Sequence, residues 1–217
     1  MTTTLRNYVS IFLKAILAGL CIGIGGIVYL SCTSKIAGAI LFAIGLLTIL
    51  LFKLKLFTGA CGYFIESTKK LGYFLELVII WIGNFLGTFI IAKAITFTRL
   101  TFNLDFVSVK VEDTLISLFI LGIGCGFLMY VGVDTFNHTT IGPLMPVMCV
   151  AVFILAGFEH CIADMFYFSL YGISTDILIR LLIITSGNII GSWIIPITSR
   201  ILLIGSPHNA KRKKNKM

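Results

Sequence analysis

The chain of 217 residues is 58% hydrophobic and only 12% charged, with a mean hydropathy of +1.05. A soluble domain carries roughly 25% charged residues, so the composition excludes one and indicates a polytopic membrane protein with scarcely any soluble part. The net charge of +8 comes largely from Lys211, Arg212, Lys213, Lys214 and Lys216; beside a span, such a run marks a cytoplasmic end rather than a nucleic-acid arm.

The first apolar run, residues 8–30, is too long for the apolar region of a secretory signal peptide, and no small-residue cleavage site follows it. It is read as segment one. Its glycines in GLCIGIGGI, 19–27, suit the close approach of a neighbouring helix. After the turn SCTSK, segment two covers 36–67. That is too long for one straight span at about 1.5 Å per residue and about 30 Å of hydrocarbon. KLKLFTGACGY, 53–63, interrupts it. Segment three covers 71–94, and a short polar link then holds Arg99, Asp105, Lys110, Glu112 and Asp113. Segment four covers 115–133, the link DTFNHTTIGP follows, and segment five covers 144–171 with an interruption at GFEHC. Segment six covers 177–204. Six spans return both ends to one side, together with Arg6 and the Lys69–Lys70 pair, and the positive-inside rule makes that side the cytoplasm.

Three landmarks recur at nearly one offset. GNFLGTFI, 83–90, returns as GNIIGSWI, 187–194, 104 positions later; GIGG, 23–26, returns as GIGC, 122–125, 99 later; the interruptions at 57–61 and 157–161 differ by about 100. With three spans per half, the halves insert in opposite senses, and inverted repeats with broken helices place a site where the repeats meet. The expected fold is therefore an all-α polytopic membrane protein: one transmembrane domain over 1–217, built from two inverted three-helix repeats, 1–98 and 111–204, with segments two and five broken and a basic tail at 205–217.

The second interruption, GFEHCIADMF at 157–166, carries Glu159, His160 and Asp164 where a span should hold no ionisable group. A charge at the bilayer centre costs at least about 2.5–3.5 kcal/mol, so such residues face a cavity and mark a pathway. Gly157 lets the backbone bend there. The six cysteines, Cys21, Cys32, Cys61, Cys125, Cys149 and Cys161, form no C-x-x-C pair and no metal-ligand spacing, so neither a disulfide, a metal nor another cofactor is expected.

LFTG at 56–59, GFEHCIADMF and the repeated G-N-x-x-G together resemble the formate/nitrite transporter family, and the likeness runs from FLKAILAG in segment one to GNIIGSW. The resemblance implies an aquaporin-like fold, a homopentamer with one pore per subunit in the cell membrane, and passage of small monovalent anions such as formate, nitrite or hydrosulfide. It implies that Thr58 and His160 form the polar pair at mid-pore, and that Phe42, Leu46 and Leu56, with Phe57 beside the last, constrict one flank. Phe153 would constrict the other, and Lys14 and Lys110 would serve the two vestibules. The chain departs from the family pattern at Lys55, where an acidic residue is usual, and at Gly126, Cys161 and Asp164, where Asn, Ser and Asn are common.

The chemistry agrees with that reading. An unpaired carboxylate is costly to bury and neutralises instead, histidine changes charge between pH 5 and 8, and a hydroxyl such as that of Thr58 donates to a ligand or to an imidazole. Proton exchange at His160 between apolar rings would let the neutral acid pass, and lysines at the mouths would concentrate anions. Glu159 and Asp164 are read as structural, since a carboxylate facing the pore repels anions. Lys55 either snorkels to the surface or sits in a subunit contact, Lys14 has a rival reading as a helix-end lysine, and Phe42 and Phe153 a rival reading as core aromatics. His138 and His208 are assigned no role. An aquaporin-like pore for neutral solutes is disfavoured because neither interruption contains an Asn-Pro-Ala loop. A membrane-embedded metal enzyme using Glu159, His160, Cys161 and Asp164 lacks a second His or partner Cys at ligand spacing.

Overall fold

The structure is a computed structural model describing residues 3–140 and 142–202; the basic tail, with His208, lies outside the described residues. Its helices are α1 (Thr3–Ser31), α2 (Lys35–Leu51), α3 (Phe57–Ala60) continued by a 3-10 turn (Cys61–Ile65), α4 (Lys70–Ile95), α5 (Asp105–Glu112), α6 (Leu115–His138), α7 (Leu144–Leu155), α8 (Cys161–Tyr171) and α9 (Thr175–Ile201). Both interruptions read from the sequence are real breaks, between α2 and α3 and between α7 and α8. The helix α5 inside the polar link is an addition that sequence reasoning did not foresee. Among the described residues, four helices are long and apolar enough to cross a membrane: Leu5–Ser31, Lys70–Ile95, Leu115–His138 and Thr175–Ile201.

Side-chain caps start several of these helices. Ser34, Thr114 and Ser174 accept from the backbone N–H of Ala37, Ser117 and Ile177, which satisfies donors that a helix start leaves open. The outer surface is apolar, with Leu13, Ile40, Leu71, Ile116 and Leu182 all exposed, while Asn84, Thr88, Asn188, Ser192, Glu159, His160 and Asp164 are buried. That distribution suits a lipid surround, where backbone and polar groups must find partners inside the protein.

α1 packs along α4 and α6 along α9, and glycine sets both distances. A Cβ on Gly87 would strike the Ile16 carbonyl, and one on Gly191 the Ile123 carbonyl. The pairing corrects one offset expected from the sequence. Gly19 of α1 faces the Asn84 carbonyl as Gly126 of α6 faces that of Asn188, so α1 and α6 match at a spacing of 107, and the stretch 23–26 does not correspond to 122–125.

The two breaks share one backbone design. At the end of α2, Lys53 N–H donates to Leu50 O and Leu54 N–H to Ile49 O (2.9 Å); at the end of α7, Gly157 N–H donates to Ile154 O and Phe158 N–H to Phe153 O (2.9 Å). This is the Schellman closure, which needs a left-handed residue past the helix end. Lys53 has φ 52° and Gly157 φ 73°. The matching residues are 104 apart, so Leu56 corresponds to His160 and Lys55 to Glu159.

Candidate functional site

Each break leaves buried backbone groups that need partners, and one asparagine answers at each. Asn84 on α4 accepts from the Phe57 N–H (2.9 Å) and donates to the carbonyls of Ala15 (2.8 Å) and Lys55 (2.9 Å). Asn188 on α9 accepts from the Cys161 N–H (2.9 Å) and donates to the carbonyls of Gly122 (2.8 Å) and Glu159 (2.8 Å). Both are fully buried. These are the asparagines of the repeated G-N-x-x-G, whose role as clamps on the breaks the sequence did not disclose.

Held this way, the breaks bring Thr58 and His160 together, with Thr58 Oγ1 2.8 Å from His160 Nε2. His160 is also the cap of α8: the Ala163 N–H donates to its Nδ1 at 3.0 Å. That bond requires a lone pair on Nδ1, so the neutral ring carries its proton on Nε2 and donates it to the Thr58 oxygen. The Thr58 hydroxyl proton is then left to donate elsewhere. A second proton on the ring would set two donors face to face at Nδ1 and would have to open the cap.

Two cavities lie near this pair: His160 lines the first, and Leu56 and Gly59, close to Thr58 in the chain, line the second. One, of about 340 Å³, is lined by Phe42, Phe153, His160, Tyr29, Lys110 and Asp164 among others. The other, of about 250 Å³, is lined by Leu46, Leu56, Gly59, Lys53, Lys55 and Tyr63 among others. Phe42 and Leu46 lie one turn apart on α2, so little more than that turn separates the cavities. Phe153 stacks on the His160 ring with centroids 5.4 Å apart, and meets Phe42 edge to face at 6.3 Å.

Not every residue singled out from the sequence reaches this centre. Phe57 is buried, but it lines a separate apolar groove with Trp81 and Trp193 between α4 and α9. Its backbone direction explains this, since Leu56 and Phe57 point to opposite sides as the chain enters α3. Lys14 is exposed and is not among the residues lining either cavity. Lys110 does line the first cavity, yet it is not a free cation: its Nζ contacts Glu159 Oε2 and donates to Asp164 Oδ1 at 2.9 Å. Burial works against the Lys110 charge, and the two carboxylates outweigh it, so its pKa lies above the ordinary lysine value. Lys53 and Lys55, which sequence reasoning left without a cavity role, line the second cavity instead. Only the Schellman geometry, which turns that segment inward, could have pointed to them.

The fold and the site define a class: a helical membrane protein in which two broken helices, clamped alike, meet at a buried hydroxyl–imidazole pair. The sequence model of the formate/nitrite transporters matches residues 1–201; the chain belongs to the formate/nitrite transporter family. It is 26% identical over 184 residues to the formate channel FocA of Haemophilus influenzae, an alignment covering 71% of this chain and 64% of that protein's length. Among solved structures it resembles a pentameric formate channel with formate bound, at TM-score 0.78 and 23% identity over 91% of this chain and 98% of that one. It also resembles an FNT family ion channel at TM-score 0.71 and 22% identity, over 89% and 88% of the two chains. At these identities the structural likeness speaks for the fold.

Proposed function

We propose that the protein is a channel for small monovalent weak-acid anions, formate or nitrite above all. It works in the cell membrane as a homopentamer with a pore through each subunit, six spans in two inverted repeats and both termini in the cytoplasm. One observation carries this reading: the Thr58–His160 pair, 2.8 Å apart and buried, with His160 lining one cavity and Leu56 and Gly59, close to Thr58 in the chain, lining another. Phe42 and Phe153 on one flank and Leu46 and Leu56 on the other strip water from whatever passes. A carboxylate cannot leave water unpaired at tolerable cost and crosses as its neutral acid instead. At the centre it meets the hydroxyl proton that Thr58 has free because its oxygen already accepts from His160. Proton exchange at His160 would demand that Nδ1 release the Ala163 amide, so the ring donates a hydrogen bond at rest and acts as an acid only when that cap opens. Lys53 and Lys55 raise the local anion concentration at the second cavity.

The test is flux into liposomes carrying the purified oligomer, with formate, nitrite, hydrosulfide and lactate run in parallel. The reading expects saturable uptake of at least one of the small anions and little of lactate. Intact oligomer that passes none of them would overturn it.

A further inference from the structure

The first cavity holds a grouping that anion attraction does not explain. Lys110 contributes one positive charge, and both Glu159 and Asp164 bind its ammonium. If both carboxylates were ionised the group would carry a net negative charge, in a cavity that also meets Asp113. Asp164 is only 1% exposed. Its Oδ1 takes the Lys110 bond, while its Oδ2 is buried with no hydrogen-bond partner. An ionised carboxylate with one oxygen sealed off and unbonded is among the least favourable arrangements for a buried charge. Two carboxyls facing one cation resolve the conflict by sharing a proton.

Among the described residues, the surroundings offer no further cation to replace that proton. The break and α8 contribute His160, neutral at rest through its cap, Cys161 and Tyr167. α1 contributes Tyr29, α6 Cys125, and the end of α5 Asp113, whose carboxylate accepts from the Thr114 N–H and the Ser117 hydroxyl. On α4, Lys93 donates to the Ser169 carbonyl, farther along α8. On α9, Arg180 binds Asp176 and the Asp113 carbonyl.

We propose that the Glu159–Asp164 pair is a proton-binding site, holding one shared proton that leaves the group with Lys110 neutral, and that losing this proton turns the vestibule negative and hinders anion entry. The substrate side of this statement rests on the channel reading above; the proton itself does not. The site is peculiar to a chain with a carboxyl at position 164, since an amide there would leave Lys110 and Glu159 a simple neutral pair.

Infrared spectroscopy of the purified oligomer tests the proton directly, because a protonated carboxylic acid has a carbonyl-stretch band that a carboxylate lacks. The wild-type protein should show this band near neutral pH, shifted in heavy water and lost on alkaline titration. It should vanish from the difference spectrum in both Asp164→Asn and Glu159→Gln, since either variant leaves one carboxylate paired with Lys110. A band that survives in either variant, or never appears in the wild type, overturns the proposal. Should one variant fail to assemble by size exclusion, the other and the wild-type titration carry the test, and a band that resists the whole alkaline range overturns it too. In liposomes, wild-type formate uptake should fall as pH rises more steeply than the neutral-acid fraction alone predicts. Asp164→Asn should remove the excess slope; an identical profile in the two proteins overturns the gating role. Wild-type protein with the band but without formate flux would refute the channel reading and leave the proton site standing.

Discussion

The two breaks have the same backbone and opposite contents. Each ends its helix with the same pair of closing hydrogen bonds, each turns through a left-handed residue, and each gives the first amide of the following helix to a buried asparagine. The first then presents Lys55 and Leu56, the second Glu159 and His160. A repeated scaffold has thus been given a cationic, greasy side and an acidic, titratable one. The Thr58–His160 pair joins the two breaks, with its hydroxyl on α3 and its imidazole at the start of α8. The comparison teaches that a shared backbone closure fixes position, while the residues that differ between the breaks set what each presents.

The strongest way to break the comparison is to remove a clamp. Asn188→Ala deletes three buried hydrogen bonds, and each buried group left unpaired costs about 1–3 kcal/mol. Thermal unfolding of the detergent-purified oligomer should show a large loss of stability or failure to assemble. Asn84→Ala should match it; a mild effect at one site and a severe one at the other would show that the breaks are held differently.

The next effects concern the contents. His160→Asn keeps a good helix cap but removes the ring that donates to Thr58. Net formate uptake should fall about tenfold or more, equivalent to about 1.4 kcal/mol, with the oligomer intact by size exclusion. Unaltered uptake across pH 5–8 would take His160 out of the mechanism. Thr58→Val strands the Nε2–H without an acceptor, at about 1–3 kcal/mol, and should cut uptake strongly, whereas Thr58→Ser should retain most of it. A loss in Ser with none in Val would mean that the methyl group, and not the hydroxyl, matters.

The smallest effects test the left-handed turns. A Cβ on Gly157 meets nothing within 4 Å, so Gly157→Ala isolates the conformational cost, about 1–2 kcal/mol for a non-glycine residue at positive φ. Lys53 already bears that cost, and Lys53→Gly should change stability by no more than about 1 kcal/mol, since the glycine adds entropy to the unfolded chain. Unfolding midpoints of the two variants give the contrast, and a loss in Lys53→Gly as large as in Gly157→Ala would show that the lysine side chain itself holds the first break.

Composition and period alone determined that this is a helical membrane protein, because burying so few charges in so many apolar residues leaves lipid as the only suitable surround. The interruptions were legible too, since Gly157 and the polar residues around it cannot sit in an unbroken span without a reason. The repeated G-N-x-x-G announced a recurring element. What the asparagines do was not legible, because their partners lie 27 to 69 positions away and only folding brings them together. The same is true of the Thr58–His160 contact across 102 positions and of the fate of Lys110, whose two acids come from the second break and from α8. The tertiary structure also turned Phe57 toward a separate apolar groove, for the direction of a side chain at a helix break depends on dihedral angles that residue types do not specify. Hydrophobicity is a sum over residues and survives in the sequence; hydrogen bonding inside a membrane is a matter of pairs, and the pairs exist only once the chain has closed on itself.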